Sequence, residues 1–294
     1  HGYDLIALGN AISKRTLAVI AVNFLGIPEQ LGLIAELLAG AKEKIYLIED
    51  NAQWLPEYEG RLVGASLHGD FVLTSFGRGK PLSLLGGGVL FTKEGLVEPL
   101  LNLQRGVIIK TVNTGAKFHL KRAAYNLLLN PLFYRCLDTA PFMQLGATVY
   151  HPQTEIAALS PEAEAILPSN LNLYLKRSRN VEQLWRNALA ETALDMAVDL
   201  APVQAGRMLR FPVLARSQLE RDTLLQKLKR VGIGASPMYQ TAMPYISGVD
   251  TGMYSLAAKV DNAMSFGARL LTLPCHSGVA PAEVERAVAV FTEV

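Results

Sequence analysis

The sequence predicts an α/β protein, with a mostly parallel sheet carrying helices on both faces and a small C-terminal α/β domain behind it. Three observations predict this. From Leu17 to Thr92, short runs rich in β-branched residues alternate with stretches of helical periodicity, as in strands joined by crossover helices. An acidic pair and a glycine cluster stand at the ends of such runs, where open sheets place their ligand loops. From Arg210 onward a shorter strand and helix alternation follows.

The elements are read in order. Leu17-Ala-Val-Ile-Ala-Val22 suits a strand buried on both faces. A turn at Gly26-Ile-Pro28 precedes apolar residues at helical spacing over Glu29 to Leu38. Ile45-Tyr-Leu-Ile48 is a second strand, ending in Glu49-Asp50, and Phe71-Val-Leu-Thr74 is a third, running into Ser75-Phe76-Gly77-Arg78-Gly79-Lys80. Gly86-Gly87-Gly88 then leads into a fourth, Val89-Leu-Phe-Thr92. Glu94 to Tyr150 reads as helical, broken at Pro131 and Pro141, and His151 to Pro168 as a polar connection or lid. One long amphipathic helix is expected over Leu171 to Glu191, with Arg177, Arg179 and Arg186 on its wet side. The tail offers a strand at Arg210–Leu214, a helix over Ser217–Val231, a strand at Leu270–Leu273 and a closing helix over Ala280–Phe291. Pro281 and Glu283 supply helix-start chemistry to the last. The expected division is a large domain over 1–150 and a small C-terminal domain over 151–294.

With 294 residues, 50% hydrophobic and 18% charged, the chain is long enough for two domains and too apolar for disorder. Its 28 basic and 26 acidic residues leave a net charge of +2, which makes no case for nucleic acid or an anionic membrane as partner. The longest apolar run, Leu17 to Ile27, is interrupted by Asn23 and Gly26 and falls short of the ~18–20 residues a span requires. Ala123 to Tyr134 is broken by Asn126, Asn130 and Pro131, and no signal peptide opens the chain. Two cysteines, Cys136 and Cys275, are too few for a disulfide framework, so a cytoplasmic protein is expected.

Ligands of open parallel sheets sit beyond the carboxyl ends of the strands, and Asp50 and Lys80 both fall there. An acid and a lysine so placed suit a pyridoxal phosphate site. The amine forms a Schiff base with the cofactor aldehyde, and the carboxylate keeps the pyridine nitrogen protonated so that the ring accepts electrons. A strand-end acid and a solvated loop lysine look the same in isolation, and these two residues alone leave both readings open.

Their surroundings form an ordered series: Ile48-Glu49-Asp50-Asn51-Ala52-Gln53, then Gly60-Arg61-Leu62-Val63-Gly64, then Gly69-Asp70, then Ser75-Phe76 with Lys80. This series resembles the DegT/DnrJ/EryC1/StrS family of sugar aminotransferases, whose pattern is D-x-A-Q or D-x-A-H, a G-x-x-V-G turn and S-F-x-x-x-K before a glycine-rich stretch. Arg15 to Gly26 and Leu271-Thr-Leu-Pro-Cys-His276 agree as well. The resemblance implies a fold-type-I pyridoxal phosphate enzyme that moves an amino group from an amino-acid donor, glutamate, to a nucleotide-linked keto-sugar. It implies that Lys80 bears the Schiff base and moves the proton, that Asp50 holds the pyridinium, that Gln53 lies near the ring and its phenolic oxygen, and that Ser75 donates to the phosphate. It also implies a homodimer, each site being built from two subunits. The family's G-x-N-x-R-M-like stretch, which reaches the partner's phosphate, has no clean copy; Asn113 is one stand-in and Asn170 or Asn172 another. The family's front segment has no counterpart, and since the chain opens on His1 a missing front is expected.

A pyridoxal phosphate aminotransferase with a non-sugar acceptor fits the divergent middle, and a non-catalytic binding protein on the same fold is the alternative of a different class. Gly77-Arg78-Gly79-Lys80 is no P-loop, because Thr74 and Pro81 stand where glycine and Ser/Thr are needed. Gly86–Gly88 precedes a strand, not a helix, and lacks dinucleotide spacing. The histidines show no metal-ligand spacing, so no metal is expected. Arg78 reads equally as a substrate ligand and as a solvated arginine, while Tyr239 is a remoter substrate contact.

Overall fold

Short runs dominated by apolar residues pull the first strands into one sheet. The structure, a computed structural model, describes all residues except 1, 56, 59–60, 63–67, 107–108, 111–114, 129–149, 151, 153–154, 179, 191, 193, 197–206, 257–258 and 293–294. The chain divides into two compact units. The first comprises His1–Thr114, Gln153–Arg177 and Leu200–Leu209, the second Gly115–Pro152, Ser178–Asp199 and Arg210–Val294.

In the first unit, β1 (Ala18–Val22), β2 (Tyr46–Asn51), β5 (Phe71–Ser75) and β6 (Gly88–Thr92) form a sheet in the order β1-β2-β5-β6. The first three are mutually parallel and β6 returns antiparallel to β5. Short pairs β3 (Glu57–Tyr58) with β4 (Arg61–Leu62), and β7 (Ile109–Lys110) with β8 (Ile156–Ala157), lie apart from it. Helices α1 (Leu5–Ala11) and α2 (Leu31–Ala39) pack over one face. Asp4 caps α1 by accepting the N–H groups of Ile6 and Ala7. On α2 the buried residues are Leu31, Ile34 and Leu38, a helical stripe that meets Val19, Ala21 and Leu47 of the strands.

The opposite face of β1 is open: Ile20 and Val22 are 52% and 39% exposed. The expectation that this strand is buried on both faces is therefore corrected. The run is continuously apolar, but α1 and α2 cover only the side carrying Val19 and Ala21.

Two helix expectations also change. Residues from 161 onward, expected in a connection, begin α5 (Pro161–Leu175), capped by the Ser160 hydroxyl and entered through a proline, which has no N–H in need of an acceptor. Helices before it are α3 (Val97–Arg105) and α4 (Ala116–Leu128). The single helix expected over 171–191 is two, because α5 ends at Leu175 and α6 (Asn180–Leu189) starts afresh. The reason lies at the junction, where the buried guanidinium of Arg207 accepts the role of C-terminal partner and donates to the carbonyls of Leu175 and Arg177.

In the second unit, β9 (Asp195–Met196), β10 (Arg210–Leu214) and β11 (Leu270–Pro274) form an antiparallel sheet in the order β11-β10-β9. Every residue of β11 is buried. Val181, Trp185 and Leu189 form the buried stripe of α6, and the Trp185 indole N–H donates to the Pro274 carbonyl at 2.8 Å. Helices α7 (Gln218–Arg230), α8 (Asp261–Arg269) and α9 (Pro281–Thr292) complete this unit. The expected start of α9 is realised as Glu283 Oε2 accepting the Ala280 N–H at 2.9 Å.

Candidate active site

Side chains alternate across a strand, and this separates Glu49 from Asp50. Leu47, Glu49 and Asn51 lie on the buried face of β2, while Tyr46, Ile48 and Asp50 face the half-open side. Asp50 pairs with Val22 of β1 and Leu73 of β5. By the same alternation Ser75, two residues beyond Leu73, shares the face of Asp50 at the carboxyl ends of the strands.

Glu49, fully buried, has a different task. Its Oε1 accepts the backbone N–H groups of His68 at 2.5 Å and Gly69 at 2.6 Å, holding the entry to β5. Gly69 is needed there, because a Cβ would come within 2.7 Å of the Phe71 carbonyl oxygen.

Lys80 sits in the loop between β5 and β6, and that loop is closed at its base. The Phe76 N–H donates to the Gly87 carbonyl at 2.8 Å, and the Phe76 carbonyl accepts from Leu84 at 2.8 Å and Gly86 at 3.1 Å. Phe76, Leu82 and Leu84 are buried anchors. Gly79 and Gly87 take left-handed φ values of 71° and 83°, and Leu85 is held at 69°. A leucine there is strained by roughly 1–2 kcal/mol, which the anchored loop sustains. Gly88 answers to a different demand, since a Cβ on it would lie 2.3 Å from the Thr74 carbonyl oxygen of the neighbouring strand.

Lys80 is half-buried. Burial pushes its amine below the ordinary lysine range, and the Asp50 carboxylate acts on it in the opposite sense without cancelling that effect. An amine so depressed is neutral more often near neutral pH, as a nucleophile or proton carrier must be. Asp50 Oδ1 accepts the Ala52 N–H at 2.9 Å, and its second oxygen has no hydrogen-bond partner among the described residues. Ser75 Oγ accepts the Gly77 N–H at 3.3 Å, which leaves the hydroxyl proton without an acceptor among the described residues.

Gln53 is buried, with Oε1 accepting the Leu25 N–H at 2.9 Å. Asn113 lies outside the described residues, and Asn170 and Asn172 lie on α5. Arg78 is exposed, and no group of three or more His, Cys, Asp or Glu able to hold a metal occurs among the described residues. Sequence reasoning missed Asn23 and Asn51, both buried beside Asp50. The signal was a polar residue ending a continuous apolar strand, where burial obliges it to find partners.

The profile of the DegT/DnrJ/EryC1/StrS aminotransferase family matches residues 3–130 and 168–292. The chain belongs to this family. A search of the curated proteins returns no match. Among solved structures, the DegT DnrJ EryC1 StrS aminotransferase from Brucella abortus is 18% identical, over 94% of this chain and 64% of that one, with a TM-score of 0.65. Sugar aminotransferase CalS13 from Micromonospora echinospora is 19% identical over 99% and 70% of the two chains, with a TM-score of 0.67. The E. coli GDP-4-keto-6-deoxy-D-mannose-3-dehydratase with bound hydrated PLP is 17% identical over 98% and 70%, with a TM-score of 0.65. The chain thus spans less than two thirds of the length of the Brucella protein. The fold-type-I architecture expected from the sequence is the one these structures share with this family member.

The residues present fit pyridoxal phosphate. An amine of depressed pKa, together with a carboxylate oxygen and a hydroxyl proton that have no partner among the described residues, are the kinds of group its aldehyde, pyridine nitrogen and phosphate call for.

Proposed function

We propose that this chain carries the pyridoxal phosphate chemistry of a sugar aminotransferase, taking an amino group from glutamate and delivering it to a nucleotide-linked keto-sugar. The observation that carries the reading is Lys80: a half-buried amine of lowered pKa, on a loop pinned at its base, under the influence of Asp50 at the carboxyl end of the parallel strands. When bound, the cofactor supplies an aldehyde that a lysine amine can hold and a ring that withdraws electrons from the carbon being deaminated or aminated.

The chain's own residues then have separate tasks. Lys80 holds the cofactor through its amine and, once released by the incoming amino donor, carries a proton to and from the substrate carbon. Asp50 keeps a proton on the pyridine nitrogen through a charge-assisted hydrogen bond. Ser75 donates its hydroxyl to the phosphate. Gln53, three residues beyond Asp50 in sequence, supports the ring end of the site, and Asn113 is the residue offered to the phosphate of a partner subunit in a homodimer. No helix among the described residues is long and apolar enough to cross a membrane, and a cytoplasmic enzyme of small-molecule substrates is the reading adopted.

Names of solved relatives support a sugar as acceptor, since CalS13 is a sugar aminotransferase and the Helicobacter pylori PseC is an aminotransferase involved in the biosynthesis of pseudoaminic acid. The test is a pair of half-reactions. The chain loaded with pyridoxal phosphate, given glutamate, should release 2-oxoglutarate once per site and then aminate a member of a nucleotide keto-sugar panel. Release without amination of any sugar moves the acceptor to another keto compound. No release with glutamate refutes the donor.

A further inference from the structure

This inference rests on the reading of Asp50 as the partner of the cofactor's pyridine nitrogen and concerns what aims it. We propose that Asn23 is a positioning residue for Asp50, acting through a buried amide cluster at the ends of β1 and β2.

Asn23 follows β1 directly and is fully buried. Its backbone N–H donates to the Asp50 carbonyl at 3.1 Å. Its side-chain oxygen accepts the Glu29 N–H at 2.7 Å, and its amide nitrogen donates to Asn51 Oδ1. One residue therefore grips the main chain of Asp50, the side chain of the next residue and the segment that leads into α2.

The neighbouring turn is held from the same place. Gln53 Oε1 accepts the N–H of Leu25, a fully buried residue in the left-handed region at φ 57°. Gly26 follows at φ 87°, where a Cβ would meet the Arg207 carbonyl oxygen at 2.6 Å. Leucine does not choose this conformation unaided, so the bonds around it over-determine the turn.

The cluster lies on the buried face of β2, whereas the carboxylate of Asp50 leaves from the other. The only hydrogen bond made by that carboxylate among the described residues comes from the N–H of Ala52, two residues further along the same chain segment, and none comes from another element. Its aim therefore follows the main chain at residues 50 and 51, and Asn23 holds it at the Asp50 carbonyl and through the Asn51 side chain. Apolar residues of similar size would fill the same space without fixing a direction, whereas the Asn23 amide, donating to Asn51 Oδ1 and accepting the Glu29 N–H, is bonded at both ends in one arrangement only. A carboxylate that must meet a ring nitrogen at about 2.7–2.9 Å needs that direction set.

The experiment begins with the wild-type chain treated with pyridoxal phosphate and borohydride. Absence of an adduct on Lys80 refutes the underlying reading, and the inference is then decided by hydrogen exchange on the chain alone. Loss of protection at the Leu25, Glu29 and Ala52 amides in Asn23→Ser supports it, and unchanged protection overturns it. With the adduct present, Asn23→Ser should weaken pyridoxal phosphate binding about tenfold, the worth of one lost buried hydrogen bond. It should also lower the visible circular dichroism of the bound cofactor to the level of Asp50→Asn, with the double variant no worse than Asp50→Asn. Wild-type dichroism in Asn23→Ser, or losses that add in the double variant, overturns the proposal.

Discussion

Lys80 differs from the exposed Arg78 two residues before it in what surrounds the charge. Burial disfavours its ammonium form and the Asp50 carboxylate favours it, with burial the larger effect. Two signs follow for the chain without cofactor. The rate at which Lys80 is acylated by an amine-directed reagent should reach half its plateau at a pH below that of an ordinary lysine. Asp50→Asn, which removes the opposing influence, should move that midpoint lower still. Peptide-resolved labelling across pH measures both, and a midpoint raised by Asp50→Asn would show that the carboxylate does not act on this amine. At this scale the sequence was informative about residue type and silent about direction. Glu49 and Asp50 are adjacent acids, yet one holds the His68–Gly69 backbone in the interior and the other faces the half-open side.

Elements carry the site through their ends. At the amino end of β5, Asp70 ties the starts of β2 and β5 to the end of β6. It accepts the Leu47 N–H at 2.9 Å and pairs with Lys44 at 3.1 Å and Lys93 at 3.3 Å. Burial pushes its carboxyl up, but the Leu47 N–H and the two ammonium groups outweigh that and hold it below the usual range. A group depressed in the folded state stabilises the fold above its unfolded value, near 3.9, and loses that contribution as pH falls through the folded value. Asp70→Asn should therefore cost about 1–2 kcal/mol at neutral pH, modest because both lysines are more than half exposed, and the gap to wild type should close in acid. Denaturant melts at neutral and acidic pH check this, and a gap that persists at low pH would remove the ion pairs as its cause. The strands of this region were legible because short apolar runs rich in β-branched residues alternate with stretches of helical spacing from Leu17 to Thr92. The break between α5 and α6 was not, because Lys176 and Arg177 continue an acceptable helical surface, and the group that ends α5 is Arg207, distant in sequence.

For the whole molecule, the parallel strands present one covered and one half-open face, and Asp50 and Ser75 share the latter. The block from Ile45 to Thr92 made the family legible, since its residues meet at adjoining strand ends and on one loop. Asn23 escaped notice because Asp50 and Asn51 lie on a strand that only the folded sheet brings beside it. Every role proposed for the site depends on Lys80 as the residue that holds the cofactor. The direct measurement is borohydride reduction of the chain after incubation with pyridoxal phosphate, followed by peptide mapping. A stable adduct on the peptide containing Lys80, abolished in Lys80→Ala, is the predicted result. An unmodified Lys80 peptide, with the adduct absent or on another lysine, would contradict it.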